Sequence, residues 1–247
     1  MAFKLQYIDR VPQDGNYFSD YGTWAHQLLE QYAKDQIPCF ALAEAYEDGY
    51  DEAVTHKPPP FPKGMAEKYY DAGLRYFETF EGFGDEWEIA EIDGKPAVEC
   101  KFEINIGDYP FVGIIDLVLR NKETGKIMVV DHKSKSKNSM DKELNTYRRQ
   151  LYVYAAYIKE KFGFFPDILR FNMFKEGYFI DEHFDIDAYN ETMEWIVDTI
   201  ESIFLESEWK VSESSYFCNF ICSVSKHCPA RDAIVHSQKG RAYGKSK

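Results

Sequence analysis

Apolar positions recur at three- and four-residue spacing over the first eighty residues, then at alternate positions from about residue 86. Trp24, Leu28, Leu29 and Tyr32 mark a first helix, which Ser19 can cap and which runs to about Gln36. A second helix is predicted over residues 41–54, with Glu44, Glu47, Asp48, Asp51 and Glu52 on its outer face. Pro58, Pro59, Pro60 and Pro62 break the chain, and a third helix follows over residues 65–80. Residues 86–92, 97–106, 111–120 and 127–133 read as four strands, with turns at Asp93-Gly94, Gly107-Asp108 and Glu123-Thr124-Gly125. A long helix over 141–162 precedes a strand at 168–174, which Gly177 turns into a hairpin with 178–184. Asp185 or Asp187 then starts a last helix that extends to about Trp209.

That order, with no internal repeat, predicts one mixed α/β domain built on an antiparallel-rich sheet. Its expected parts are a helical region over 1–84, a core over 85–185, and a C-terminal helix with a Cys-rich segment over 186–230. A flexible basic tail is expected over 231–247.

Composition narrows the class. A hydrophobic content of 45% and an aromatic content of 17% exclude a disordered chain. No run of about 18 apolar residues exists to cross a membrane, and residues 1–30 lack the basic-then-apolar plan of a signal peptide. Five cysteines, an odd number, fit a reducing compartment, so a soluble cytoplasmic protein is expected. The net charge of −13 excludes a protein that coats nucleic acid non-specifically. Yet residues 132–149 carry Lys133, Lys135, Lys137, Lys142, Arg148 and Arg149 against only Asp141 and Glu143. Such a strip is either a local grip for phosphates or an ordinary solvated face.

The candidate chemistry sits where two apolar runs each deliver a carboxylate. Gly113-Ile114-Ile115-Asp116 is followed by Val129-Val130-Asp131-His132-Lys133-Ser134. An acid-x-Lys triplet occurs four times, at Asp93, Glu99, Asp131 and Glu208, and only that at Asp131 leaves a buried-looking strand. Alternation puts Asp131, Lys133, Lys135 and Lys137 on one face if the strand continues so far. Antiparallel pairing through the 123–125 turn brings Asp116 to Asp131, where the two charges repel unless a cation lies between them. Hard oxygen ligands favour Mg²⁺ or Mn²⁺. The bland alternative is a surface pair at a strand end.

On the following helix Tyr147, Gln150 and Tyr154 share one face, either toward the site or as core packing with Gln150 at its rim. His26, four residues after Gly22, lies on the apolar side of the first helix, as a ligand or as a core histidine.

Taken in order, G-x-x-x-H, G-I-I-D, V-D-H-K-S and Q-x-x-x-Y resemble the RecB-type branch of the PD-(D/E)XK nuclease superfamily, from about Tyr21 to Tyr157. The resemblance implies a restriction-endonuclease-like core, a central mixed sheet flanked by helices. It implies His26, Asp116 and Asp131 as metal ligands with the backbone carbonyl of His132, and Lys133 as the catalytic lysine. Gln150 and Tyr154 become the accessory helix motif, and Glu99 an upstream acid, with Glu103 at the same strand parity. The implied activity is metal-dependent hydrolysis of DNA, as an exonuclease in recombination, repair or phage DNA processing. No G-x-x-x-x-G-K-[ST] motif occurs, so any unwinding falls to a helicase or recombination partner. The rival readings are a catalytically silent DNA-binding or scaffold module, and a cysteine-metal protein whose Asp131-x-Lys133 triplet is accidental.

Cys218, Cys222 and Cys228 form a compact C-terminal set. Many RecB-type nucleases join three such cysteines to an upstream one in a [4Fe–4S] cluster. Here the first spacing is three residues rather than two, and Cys39 follows the G-x-x-x-H helix instead of preceding it. A zinc site and reduced structural thiols are the alternatives.

Overall fold

A computed structural model describes residues 1–212 and 214–233 of the chain, so most of the expected basic tail lies outside the described residues. Three helices come first: α1 (Tyr17–Ala33), α2 (Leu42–Ala53) and α3 (Met65–Glu78). Asn16, not Ser19, caps α1. Its side chain accepts from Phe18 N and Ser19 N, while Ser19 Oγ accepts from Asn16 N at 2.9 Å. Ser19 is thus the second half of a reciprocal cap, and the helix starts one turn earlier than its own sequence signal indicates.

The strands are β1 (Trp87–Ile89), β2 (Glu91–Ile92), β3 (Lys95–Pro96), β4 (Val98–Ile106), β5 (Tyr109–Asn121) and β6 (Ile127–His132). Then come α4 (Lys137–Phe162), β7 (Ile168–Met173), β8 (Tyr178–His183), α5 (Ile186–Leu205) and α6 (Ser215–Phe220). The main sheet runs β1-β5-β6-β7-β8, with β4 also paired to β5, and β2 with β3 forms a separate small ladder. Among the described residues only β6 and β7 pair in parallel, through the α4 crossover.

Every residue of β6 is buried, because helices cover both faces of the sheet. Ile127 and Val129 pack with Leu151 and Ile158 of α4, whereas Met128 and Val130 pack with Ala33 of α1. A mixed central sheet between helices is the restriction-endonuclease-like arrangement that the sequence motifs imply.

Two sequence expectations fail at the end of β6. The strand stops at His132, and Ser136 caps α4 from Lys137, four residues before the expected start. Lys135 and Lys137 therefore do not share a strand face with Asp131. They pair instead with Glu143 at 2.9 Å and Asp141 at 3.1 Å. Arg148 likewise reaches Glu182 at 2.5 Å, so much of the basic strip is paired within the protein. The helix α5 ends at Leu205, short of Trp209, and the unforeseen α6 follows it.

Candidate active site

Strand register assembles the acids. Val98 pairs with Leu117 and Cys100 with Ile115, which leaves Glu99 opposite Asp116. The ladder between β5 and β6 stops at Leu117 and Val130, one rung before Asp116 and Asp131. At that missing rung His132 N donates to Asp116 Oδ2 at 2.7 Å. Glu99, Asp116 and Asp131 thus form one row across three neighbouring strands. The row also marks a change of face. Val98 and Leu117 pack on the α1 side, while Cys100 and Ile115 pack on the α4 side. Glu99 makes that switch with φ of 48°, a left-handed conformation uncommon for a residue bearing a side chain.

From the other side α1 contributes His26. Its Nε2 lies 3.0 Å from the carbonyl oxygen of His132, and its Nδ1 lies 3.6 Å from Asp116 Oδ2. One donor atom each from His26, Glu99 and Asp116 lie within 4.8 Å of one another, and among the described residues no other set of three His, Cys, Asp or Glu does so. With Nε2–H donating to the carbonyl, Nδ1 presents its lone pair toward Asp116. Burial lowers the His26 pKa, which favours this neutral form. The His132 carbonyl, expected as a direct ligand, accepts from His26 Nε2.

Burial pushes the carboxyls of Asp116 and Asp131 up to about 6, with Lys133 pulling the other way. Glu99 is raised too, by burial and then by the charge of Asp116. Asp131 Oδ2 is buried and ion-paired to Lys133 Nζ at 2.6 Å. The Glu99 and Asp116 carboxylates with the His26 imidazole, beside an Asp131 ion-paired to Lys133, are a donor set that a hard divalent cation satisfies.

The helix α4 lies over Lys133 as its spacing suggests. Lys133 Nζ donates to Gln150 Oε1 at 2.9 Å, and Gln150 Nε2 donates to the buried Tyr154 hydroxyl at 2.5 Å. Burial and the nearby Asp131 and Asp116 raise the Tyr154 pKa, so the phenol stays protonated. Tyr147 contributes its ring, 5.4 Å from Lys133 Nζ and 4.7 Å from Lys135 Nζ.

Sequence reasoning missed the support behind His132. Asn172 Nδ2 donates to His132 Nδ1 at 3.0 Å and to Tyr76 Oη at 2.8 Å. The available signal was an asparagine inside the apolar strand β7, where a buried amide needs partners.

The cysteines divide. Cys218, Cys222 and Cys228 line one small cavity with Met1 and Leu5. That segment packs at the start of α1, where Asn16 Nδ2 donates to the Ile221 carbonyl at 3.2 Å. Cys39 lies beyond the other end of α1, its Sγ donating to the Phe80 carbonyl at 2.8 Å. The 17 residues of α1 span roughly 25 Å, so Cys39 is not a fourth ligand to this set.

No helix among the described residues is long and apolar enough to cross a membrane. The crystal structure of SSO0001 aligns with 21% identity over 85% of this chain and 95% of that chain, with a TM-score of 0.35. None of the curated proteins matches. The family model of the PD-(D/E)XK nuclease superfamily matches residues 1–230, and the chain belongs to that superfamily.

Proposed function

We propose that this chain is a metal-dependent deoxyribonuclease of the RecB-type branch, acting on DNA ends in recombination, repair or phage DNA processing. The observation that carries this reading is the convergence of His26, Glu99 and Asp116 beside the Asp131–Lys133–Gln150 chain. His26, Glu99 and Asp116 would hold the cation, with Asp131, paired to Lys133, beside them. Mg²⁺ and Mn²⁺ both suit the oxygens, and the imidazole nitrogen shifts the preference toward Mn²⁺. A cation there would supply positive charge to the scissile phosphate and acidify a bound water.

The residues divide the remaining work by position. Lys133 balances the negative charge that develops on the phosphoryl oxygens as water adds and the 3′ oxygen departs, leaving a 5′-phosphate. Gln150 fixes the lysine, and Tyr154 fixes Gln150. Unwinding is supplied by a helicase or recombination partner.

The test is digestion of end-labelled linear DNA and covalently closed circles, with Mg²⁺, Mn²⁺ or EDTA. Metal-dependent loss of linear DNA with circles spared is the expected result. Cutting of circles at the same rate removes the dependence on ends, and no cutting of either removes the reading.

A further inference from the structure

Beside Gln150 and Tyr154 a groove of about 580 Å³ opens between α4, α5 and the β4–β5 hairpin. Its walls are mostly apolar: Phe102 and Val153 lie inside, while Ile114 and Trp195 stand 43% and 41% exposed at the edges. The Arg149 guanidinium lies 3.9 Å from the centre of the Trp195 ring. Unlike Arg148, Arg149 forms no ion pair among the described residues. The groove thus combines an indole ring, a guanidinium stacked on it and an apolar slot, one side chain away from Lys133.

The base faces are the largest apolar surface that DNA offers, beyond thymine methyls and sugar edges. In a duplex those faces are stacked out of reach, so an apolar slot next to the cutting site selects a base already unpaired. A base is of the right chemistry for Trp195, since every base has a face that stacks on an aromatic ring. Arg149 can then serve the adjoining phosphate or stack in turn. Resting on the nuclease reading above, we propose that this groove holds one unpaired nucleobase beside the scissile phosphate, which makes single-stranded or frayed DNA the substrate.

The test uses Trp195→Ala, the conservative Trp195→Phe, and Ile114→Glu on the facing wall. Binding of a labelled single-stranded oligonucleotide is measured with Ca²⁺, and cleavage with Mn²⁺. Each is repeated on strands carrying one abasic position moved along the sequence. Trp195→Ala and Ile114→Glu should weaken binding and cleavage by about tenfold or more, the scale of one stacked base, while Trp195→Phe keeps most of both. One abasic position should weaken the wild type equally and leave Trp195→Ala no worse than on the intact strand. A Trp195→Ala variant that binds and cuts like the wild type, or that loses the same factor again at that abasic position, overturns the groove. Cleavage by an unaffected variant leaves the nuclease reading standing. Base-dependent binding without wild-type cleavage sustains the groove and removes the nuclease reading instead.

Discussion

Lys133 Nζ is ion-paired to Asp131 Oδ2 at 2.6 Å and donates as well to Gln150 Oε1 at 2.9 Å. The lysine is held between the carboxylate and the amide. Lys133→Ala should therefore leave metal affinity nearly intact and lower the chemical rate by roughly 10²-fold, the scale of a lost oxyanion donor. Gln150→Ala keeps the charge but frees it to swing, so a smaller loss of about tenfold in kcat is expected. Single-turnover cleavage and metal titration of both variants check the order. A Gln150→Ala variant as slow as Lys133→Ala makes the amide a participant in its own right.

Asp116 and Asp131 set the response to pH. An ordinary unfolded aspartate titrates near 4, whereas burial raises both of these to about 6. The folded state thus binds protons more tightly than the unfolded chain. Its advantage is full below about pH 4 and is lost as pH rises to about 6. In EDTA, Tm should fall across that window, and Asp131→Asn should flatten the fall while abolishing cleavage. Added Mn²⁺ should raise Tm more at pH 7.5 than at pH 5, because protons compete for the same oxygens. A metal-induced gain in Tm equal at both pH values separates the cation from these carboxylates.

His26 touches both the row of acids and the end of β6, through Nδ1 beside Asp116 and Nε2 on the His132 carbonyl. His26→Ala is expected to lose activity in Mg²⁺ and recover part of it at high Mn²⁺, since the oxygen donors remain. A change in Tm without a change in specific activity would instead make it a packing histidine.

The sequence carried the site unevenly, and the reasons are local. Asp131 was legible because β6 is apolar on both faces, so a carboxylate in that run stands out. Glu99 and Glu103 have equal parity, and only the left-handed φ at Glu99 turns it into the row while Glu103 stays exposed opposite Val112. Backbone dihedrals of that kind leave no mark in a hydrophobic pattern. Lys135 and Lys137 misled because a strand has no side-chain signal for its end, and the cap at Ser136 stops it early. The separation of Cys39 from the other cysteines depends on which end of α1 each segment packs against, a long-range fact.

Gly22 and Gly113 both sit in motifs of the site, but the space around them differs. A Cβ at Gly113 would meet Phe102 Cζ at 2.5 Å, a distance that real contacts do not reach. Phe102 cannot swing freely, since its buried ring stacks on Tyr157 at 5.0 Å and meets the edge of Tyr154 at 5.9 Å. Gly113→Ala should therefore destabilise by about 1–3 kcal/mol, as overpacking does, and disturb the Tyr154–Gln150–Lys133 chain enough to lower kcat. At Gly22 the nearest atom to a Cβ is Ser134 Oγ at 3.5 Å, an ordinary contact, and the residue is inside α1. Gly22→Ala is expected to stabilise by up to about 1 kcal/mol through helix propensity, with activity unchanged. Urea unfolding and steady-state kinetics of the pair check the contrast. A destabilised, inactive Gly22→Ala would show that α1 must approach Ser134 more closely during the reaction than it does here.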